Sequence, residues 1–272
     1  MKINWFPGHM AKSLNDLSKK ARIIDLFVLV VDGRAPISSI NNDFWKIAPN
    51  KCRLVIVTKI DLADSEKFVK IKNFFTEKNF LVLFLNLKNN TSKNLILSKL
   101  NYFFKLKQKN SQMKFENPTL KIFVVGMPNT GKSTLINLVT NSRLKVGNQP
   151  GITRNNQWIS SGKFLFLDTP GILTPKLDDQ KVAIKLALIG SIRQEIIDLT
   201  FLFIEAYKLI SVLYPNFLLN LGIEPSEIEF EIEKNLSKLA EIKQFKDKNG
   251  LDFNRTRIWF LNYLKQQKIT LD

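Results

Sequence analysis

The sequence contains very little cysteine and histidine: Cys52 and His9 are the single residues of each type. One cysteine excludes a disulfide within the chain and a Cys-x-x-Cys metal cluster, which favours a reducing compartment, the cytoplasm. The first ten residues lack the uninterrupted apolar stretch of a secretion signal. The most apolar long segment, 196–214, contains three charged residues and therefore predicts a packed helix instead of a membrane span. We expect a cytoplasmic monomer with no membrane partner.

Acidic residues are also scarce. The chain has 24 Asp and Glu against 41 Lys and Arg, a net charge of +17. This excess favours a polyanionic partner; the alternative is that much of the lysine reflects an AT-rich genome. With 272 residues, of which 44% are hydrophobic, the chain is long enough for one large domain and one small one.

The apolar pattern alternates between strands and helices up to about residue 178. It predicts strands at 23–31, 53–57, 80–85, 120–125 and 164–167, and helices at 11–22, 65–78, 93–107 and from 132 onward. The polar segment 108–118 is a predicted linker. Such alternation is typical of an α/β fold with a mainly parallel sheet covered on both faces.

After residue 178 the pattern changes. Residues 180–264 have helical periodicity, broken at Pro215, Pro225 and Asn249-Gly250, and no strand is predicted there. The expected division is therefore an α/β domain over 1–178 and a smaller all-α domain over 179–272.

Gly126-Met-Pro-Asn-Thr-Gly131-Lys132-Ser133 matches the P-loop pattern and lies between a predicted strand and a helix start. In such a loop the backbone amides and the helix N-terminus surround phosphates, Lys132 reaches the outer phosphates and Ser133 ligates Mg²⁺. The alternative is a Gly-rich turn with a chance Gly-Lys-Ser. The candidate nucleotide-binding residues here are Asn129, Thr130, Gly131, Lys132, Ser133 and Thr134.

Asp168-Thr-Pro-Gly171 follows the strand at 164–167. Alone it could be a strand-to-turn exit. Downstream of a P-loop, Asp168 can act on Mg²⁺ through a bound water, and the Gly171 amide can donate to the γ-phosphate. Thr153, in the intervening loop, could complete the Mg²⁺ shell.

Thr58-Lys59-Ile60-Asp61 ends the second strand and resembles the guanine-specificity motif of GTPases, whose usual form begins with Asn. A carboxylate at Asp61 can accept from both N1–H and the exocyclic amine of guanine, a donor pair that adenine lacks. Lys59 would lie over the base and brace the P-loop. The alternative is an exposed Lys and Asp after a core strand. A second base-contacting loop is expected at Asn86 and Leu87.

The base-reading loops therefore precede the phosphate loop, a circular permutation of the common GTPase order. Together with this order, four segments resemble the ribosome biogenesis GTPase A family over nearly the whole chain. They are Trp5-Phe-Pro-Gly-His9-Met-Ala-Lys12, Asp32-Gly-Arg-Ala-Pro36, Asp168-Thr-Pro-Gly-Ile-Leu173 and Pro175-Lys176. The chain departs from the family pattern at Thr58, at Gly33, at Thr174 and in the loop at Asn86.

The resemblance implies a circularly permuted P-loop GTPase domain followed by a helical RNA-binding domain. It implies GTP and GDP as ligands, and the large ribosomal subunit precursor with its rRNA as partner. It assigns a role in hydrolysis to His9, whereas the position of this residue alone would suggest a surface or packed histidine. The position that usually holds the catalytic Gln is occupied by the apolar Ile172, which cannot orient water. Asn129 matches the position that similar potassium-dependent GTPases use for K⁺, the alternative being a loop-stabilising Asn.

Aromatic and cationic residues mix over 253–268. We expect the aromatic residues to be core, and the cations to be either a solvated face or phosphate contacts. The candidate RNA-binding residues are Arg255, Arg257, Lys265 and Lys268. Two other functions stay open: a P-loop ATPase, and a nucleotide-gated RNA or membrane-surface binding module with negligible turnover.

Overall fold

The computed structural model describes residues 23–40, 51–110, 118–142, 144, 157–169, 179–248 and 250–272. The predicted helix at 11–22 lies outside them, as do the candidate residues His9, Thr153 and Gly171. Within the described residues, no helix is long and apolar enough to cross a membrane.

A six-stranded sheet organises residues up to 168, in the order β3-β2-β1-β4-β6-β5. The strands are β1 (Leu26–Asp32), β2 (Cys52–Thr58), β3 (Leu81–Phe84), β4 (Leu120–Val125), β5 (Gln157–Ser161) and β6 (Phe164–Asp168). All neighbours pair in parallel except β5 and β6, which are antiparallel. The predicted mainly parallel sheet is therefore present.

The continuous apolar run of β1 is explained by burial on both faces. Leu26, Val28 and Val30 belong to one core cluster together with helices α2 (Asn90–Asn110) and α3 (Lys132–Thr140). The alternate residues of β1 belong to a second cluster, together with helix α1 (Phe68–Thr76). Since parallel strands end at one edge, the loops after β1, β2, β3, β4 and β6 meet there, which is the usual ligand edge of such sheets.

Strand β5 was not predicted from the sequence. Its residues Gln157–Ser161 are mostly exposed and pair with β6 alone, so Ile159 is the one side chain of β5 that packs against the core. An edge strand that buries so little has no distinctive apolar pattern.

Residues from 180 onward are mainly helical. The helices are α4 (Gln180–Leu188), α5 (Leu199–Leu213), α6 (Pro215–Leu219), α7 (Glu229–Ile242) and α8 (Phe253–Leu264). A short hairpin of β7 (Lys246–Asp247) and β8 (Gly250–Leu251), also not predicted, occupies the expected helix break. The rings of Phe203, Tyr207 and Phe260 pack together at the centre, with centroids 5.2–5.8 Å apart. The same core cluster includes Ala35 and Met127, so this helical region is continuous with the edge of the sheet that carries the loops.

Candidate nucleotide-binding site

A cavity of about 580 Å³ opens at the carboxyl edge of the sheet. Most of its walls come from the loops that follow β1, β2, β3 and β4, and the rest from the helical region. It is lined by Arg34, Thr58, Lys59, Asp61, Leu62, Asn86, Leu87, Lys88, Asn129, Gly131, Thr134, Ile189, Gly190 and Lys265. The structure thus brings predicted base-side and phosphate-side residues to one cavity.

The loop between β4 and α3 wraps tightly because of its glycines. A Cβ atom on Gly126 would lie 2.2 Å from the Val30 carbonyl oxygen, so only glycine allows this approach to β1. Gly131 caps α3 with φ at 97°, in the left-handed region. The buried Lys132 ammonium donates to the carbonyls of Gly126 and Met127. Burial lowers the pKa of Lys132 to about 8, against the opposing effect of Asp168.

The residues at the start of α3 and the end of β6 form a polar pair. The Ser133 hydroxyl donates to Oδ2 of Asp168 over 3.1 Å. Among the described residues, the buried Oδ1 of Asp168 has no hydrogen-bond partner. Burial raises the pKa of Asp168, although Lys132 and Ser133 act against it. A buried carboxylate oxygen without a donor, beside a hydroxyl, fits the oxygen ligands that Mg²⁺ prefers.

A buried carboxylate, Asp32, connects three loops and was not predicted as a site residue. Arg34 donates to it from its backbone N and Nε, both over 3.0 Å, and from Nη2 over 2.8 Å, while Lys59 donates over 2.7 Å. Lys59 also donates to the Asn129 carbonyl over 2.6 Å. Burial alone would raise the pKa of Asp32, but the two cations outweigh it and hold the pKa below its ordinary value.

Thr58 stands where the usual guanine motif has Asn, and it is fully buried. Its hydroxyl lies 3.0 Å from the Val31 carbonyl oxygen and 2.7 Å from that of Thr130. A short side chain therefore links the end of β2 to the P-loop. Gly33 is needed beside it, since a Cβ there would lie 2.8 Å from the Thr58 carbonyl oxygen.

On the base side, the Asp61 carboxylate is partly exposed and forms an ion pair with Lys88 over 3.0 Å. The Asn86 side chain accepts a hydrogen bond from the Lys88 backbone N, so this side chain is bonded within its own loop. Leu87 reaches the P-loop, because a Cβ on Gly131 would lie 3.2 Å from its Cδ1.

The third wall of the cavity belongs to the segment that follows α4. The Asn129 amide nitrogen donates to the Gly190 carbonyl over 2.7 Å, and the Ser191 hydroxyl donates to the Pro128 carbonyl over 2.9 Å. Arg34 donates to the Ile189 carbonyl over 2.8 Å. Three hydrogen bonds therefore attach residues 189–191 to the P-loop and to the loop after β1.

The four predicted RNA-binding cations lie in different surroundings. Arg255 is exposed over the Phe245 ring at 4.5 Å, and Lys268 is exposed. Arg257 is half-buried and donates to Asn254. Lys265 is half-buried at the nucleotide cavity, where it donates to Gln194 and Asn262 over 3.0 and 3.3 Å. Lys265 therefore lies in a different environment from the other three cations.

Comparison with known proteins gives a consistent picture. The sequence profile of a family described as "50S ribosome-binding GTPase" matches residues 121–246. The protein named ribosome biogenesis GTPase A from Bacillus licheniformis is 38% identical over 218 residues, covering 79% of this chain and 77% of that protein. The probable ribosome biogenesis GTPase A of Mycoplasma genitalium is 34% identical over 270 residues, covering 97% and 93%.

Two solved structures resemble the fold. GDP-bound TM YlqF superposes with a TM-score of 0.67 at 24% identity, covering 94% of this chain and 98% of that one. GNP-bound YlqF from T. maritima gives 0.66 at 24% identity, covering 96% and 97%. These likenesses confirm the predicted fold, a mainly parallel sheet followed by a helical region.

Proposed function

The chain belongs to the ribosome biogenesis GTPase A family, and from this premise we propose that it is an assembly factor for the large ribosomal subunit that binds rRNA with GTP and leaves after hydrolysis. Its GTPase activity and its circularly permuted P-loop fold were both predicted and are confirmed by that membership. The large subunit as partner is supported by the profile described as "50S ribosome-binding GTPase".

The observation that carries the proposal is the attachment of the helical region to the P-loop. Residues 189–191 bond to the backbone of Pro128 and to the side chain of Asn129. A change in P-loop geometry between GTP and GDP would act directly on these bonds. The sequence suggests a second route, the connection of residues 172–179 from Gly171 to α4, of which 172–178 lie, like Gly171, outside the described residues. Both routes support a coupling between nucleotide state and the orientation of the helical region.

The proposed site assigns each step of hydrolysis to residues of this chain. Lys132 would exchange the Gly126 and Met127 carbonyls for the outer phosphate oxygens. Ser133, Thr153 and, through water, Asp168 would hold Mg²⁺, which GTPases generally use and which neutralises developing phosphoryl charge when bound. His9 would accept a hydrogen bond from the attacking water.

The proposed RNA contact lies on the outer part of the helical region. Trp259 stacks on Tyr263 with centroids 5.4 Å apart, and Lys243 lies 4.5 Å above the Trp259 ring. Arg255 covers Phe245 next to them. Half-exposed rings flanked by cations can stack on bases and neutralise phosphates. We assign rRNA contact to this surface, together with Arg257 and Lys268.

The test is sucrose-gradient sedimentation of the full chain with large-subunit precursors, at one ionic strength, with a non-hydrolysable GTP analogue or with GDP. We expect a 5- to 150-fold higher affinity with the analogue, the usual range of coupling between sites. Affinities that agree within twofold would refute the switch and leave a passive RNA anchor. Absence of co-sedimentation with either nucleotide would refute the ribosomal role.

A further inference from the structure

One cation of the nucleotide cavity comes from the helical region. Lys265 follows the end of α8 and, together with Ile189 and Gly190, lines the cavity that the loops after β2 and β3 also line. The neighbouring Gly131 and Thr134 belong to the phosphate side of the same cavity. Lys265 therefore lines the same cavity as residues of the phosphate side and of the base side.

The cavity is strongly cationic. Of the described residues that line it, Arg34, Lys59, Lys88 and Lys265 are cationic and Asp61 alone is acidic. Arg34 and Lys59 share the buried Asp32, and Lys88 pairs with Asp61. Lys265 differs from these three because its ammonium group donates to the neutral amide oxygens of Gln194 and Asn262. Burial lowers its pKa, with Glu195 opposing that effect and Arg34 adding to it.

We propose that Lys265 is a nucleotide-binding residue whose ammonium group contacts the sugar or the first phosphate of the bound guanine nucleotide. An anion in the cavity gives this half-buried ammonium the charged partner that its amide neighbours cannot provide. The helical region then contributes directly to nucleotide affinity. This inference rests on the proposed assignment of the cavity to the nucleotide.

A purely structural role for Lys265 makes a different prediction. Its bond to Gln194 connects the end of α8 to the short 3-10 helix before α5, while its bond to Asn262 stays at the end of α8. If that connection were its whole contribution, removing Gln194 would affect the protein in the same way as removing Lys265. Nucleotide affinity separates the two roles, since Gln194→Ala leaves the ammonium group in place.

The experiment measures Kd for GDP and for guanosine by titration calorimetry on the full chain, with melting temperatures recorded alongside. The variants are Lys265→Met and Gln194→Ala, with Lys238→Met as the matched control at an exposed lysine of α7. We expect Lys265→Met to raise the Kd for GDP roughly 5- to 30-fold. Gln194→Ala and Lys238→Met should stay within twofold of the wild type.

Equal losses for guanosine and GDP would assign the contact to the sugar, and a loss confined to GDP would assign it to the phosphate. A Kd for GDP within twofold of the wild type in Lys265→Met would overturn the inference, as would an equal rise in Lys238→Met. Should Lys265→Met unfold, Lys265→Gln, which keeps a donor for Gln194, takes its place. If Lys132→Ala and Asp61→Ala also leave Kd unchanged, the assignment of the cavity itself is wrong.

Discussion

Asp32→Asn tests whether the buried carboxylate holds the base-side and phosphate-side loops together. Asp32 is fully buried, and four donors converge on its two oxygens at 2.7–3.0 Å. Arg34 supplies three of these donors and Lys59 the fourth. Lys59 is also the residue that donates to the Asn129 carbonyl of the P-loop. The substitution should therefore weaken both the fold and the site.

The magnitude follows from the geometry. An asparagine keeps one acceptor oxygen, so its amide nitrogen must face two of the four donors. Hydrogen bonds to charged groups contribute about 1.5–3 kcal/mol each, and breaking a buried ion pair by removing one partner costs about 3–5 kcal/mol. We expect the free energy of unfolding to fall by about 3–5 kcal/mol at neutral pH.

Urea unfolding of the nucleotide-free protein measures this loss, and Glu205→Gln is the matched control. Glu205 pairs with Lys208 over 3.0 Å in a partly exposed i,i+3 arrangement, where about 0–1 kcal/mol is expected. A loss below about 1 kcal/mol for Asp32→Asn would refute the central role of the carboxylate. So would a stability loss that leaves GDP affinity unchanged.

The same carboxylate gives a pH dependence with a definite sign. The pKa of Asp32 is lower in the folded protein than in the unfolded chain, where it is about 3.9. Its contribution to stability is therefore complete above that value and is lost as pH falls through the folded pKa. The difference between wild type and Asp32→Asn should be constant from about pH 5 to 8 and shrink only in strong acid.

Four further predictions concern the nucleotide. Asp61→Ala should reduce the preference for GTP over ATP at least tenfold in competition titrations, because the guanine donors lose their acceptor; unchanged competition by ATP would contradict it. His9→Ala should lower turnover at least tenfold, a loss of about 1.4 kcal/mol of transition-state stabilisation, with GTP affinity nearly intact. Equal turnover of the variant and the wild type on ribosomal particles would mean that His9 has only a structural role. Because burial lowers the pKa of Lys132 to about 8, GDP affinity should fall between about pH 8 and 9 as the ammonium group loses its proton, and a level profile would refute that dependence. If Asn129 holds K⁺ through its side-chain oxygen, hydrolysis should be several-fold faster in KCl than in NaCl; equal rates would leave Asn129 as the loop residue that bonds to Gly190.

The parts of the fold that were predictable are those encoded locally. A strand buried on both faces is apolar along its length, as β1 is from Leu26 to Val31, and a P-loop requires fixed spacing between its glycines and Lys132. The edge strand β5 buries too little to produce such a pattern. The hairpin at Gly250 has two residues in each strand, which is too short for any periodicity.

The site residues that sequence reasoning missed depend on contacts between distant elements. Asp32 and Lys59 meet because β1 and β2 pair in register, with Asp32 opposite Thr58. The available signal was the polar Asp32 at the end of a buried strand, followed by Arg34. No comparable signal marks Lys265, whose place at the cavity depends on how α8 packs on α5 and α7.

The position of residues 189–191 has a consequence for how nucleotide state could reach the helical region. Asn129 has φ at 61°, and its side chain and backbone carbonyl are bonded to Gly190 and Lys59, which belong to two different walls of the cavity. A shift of Asn129 would strain or break at least one of these two bonds. Arg34 joins the same two walls through Asp32 and Ile189. The bound nucleotide would therefore change the position of one wall relative to the other. One of these two walls belongs to the helical region.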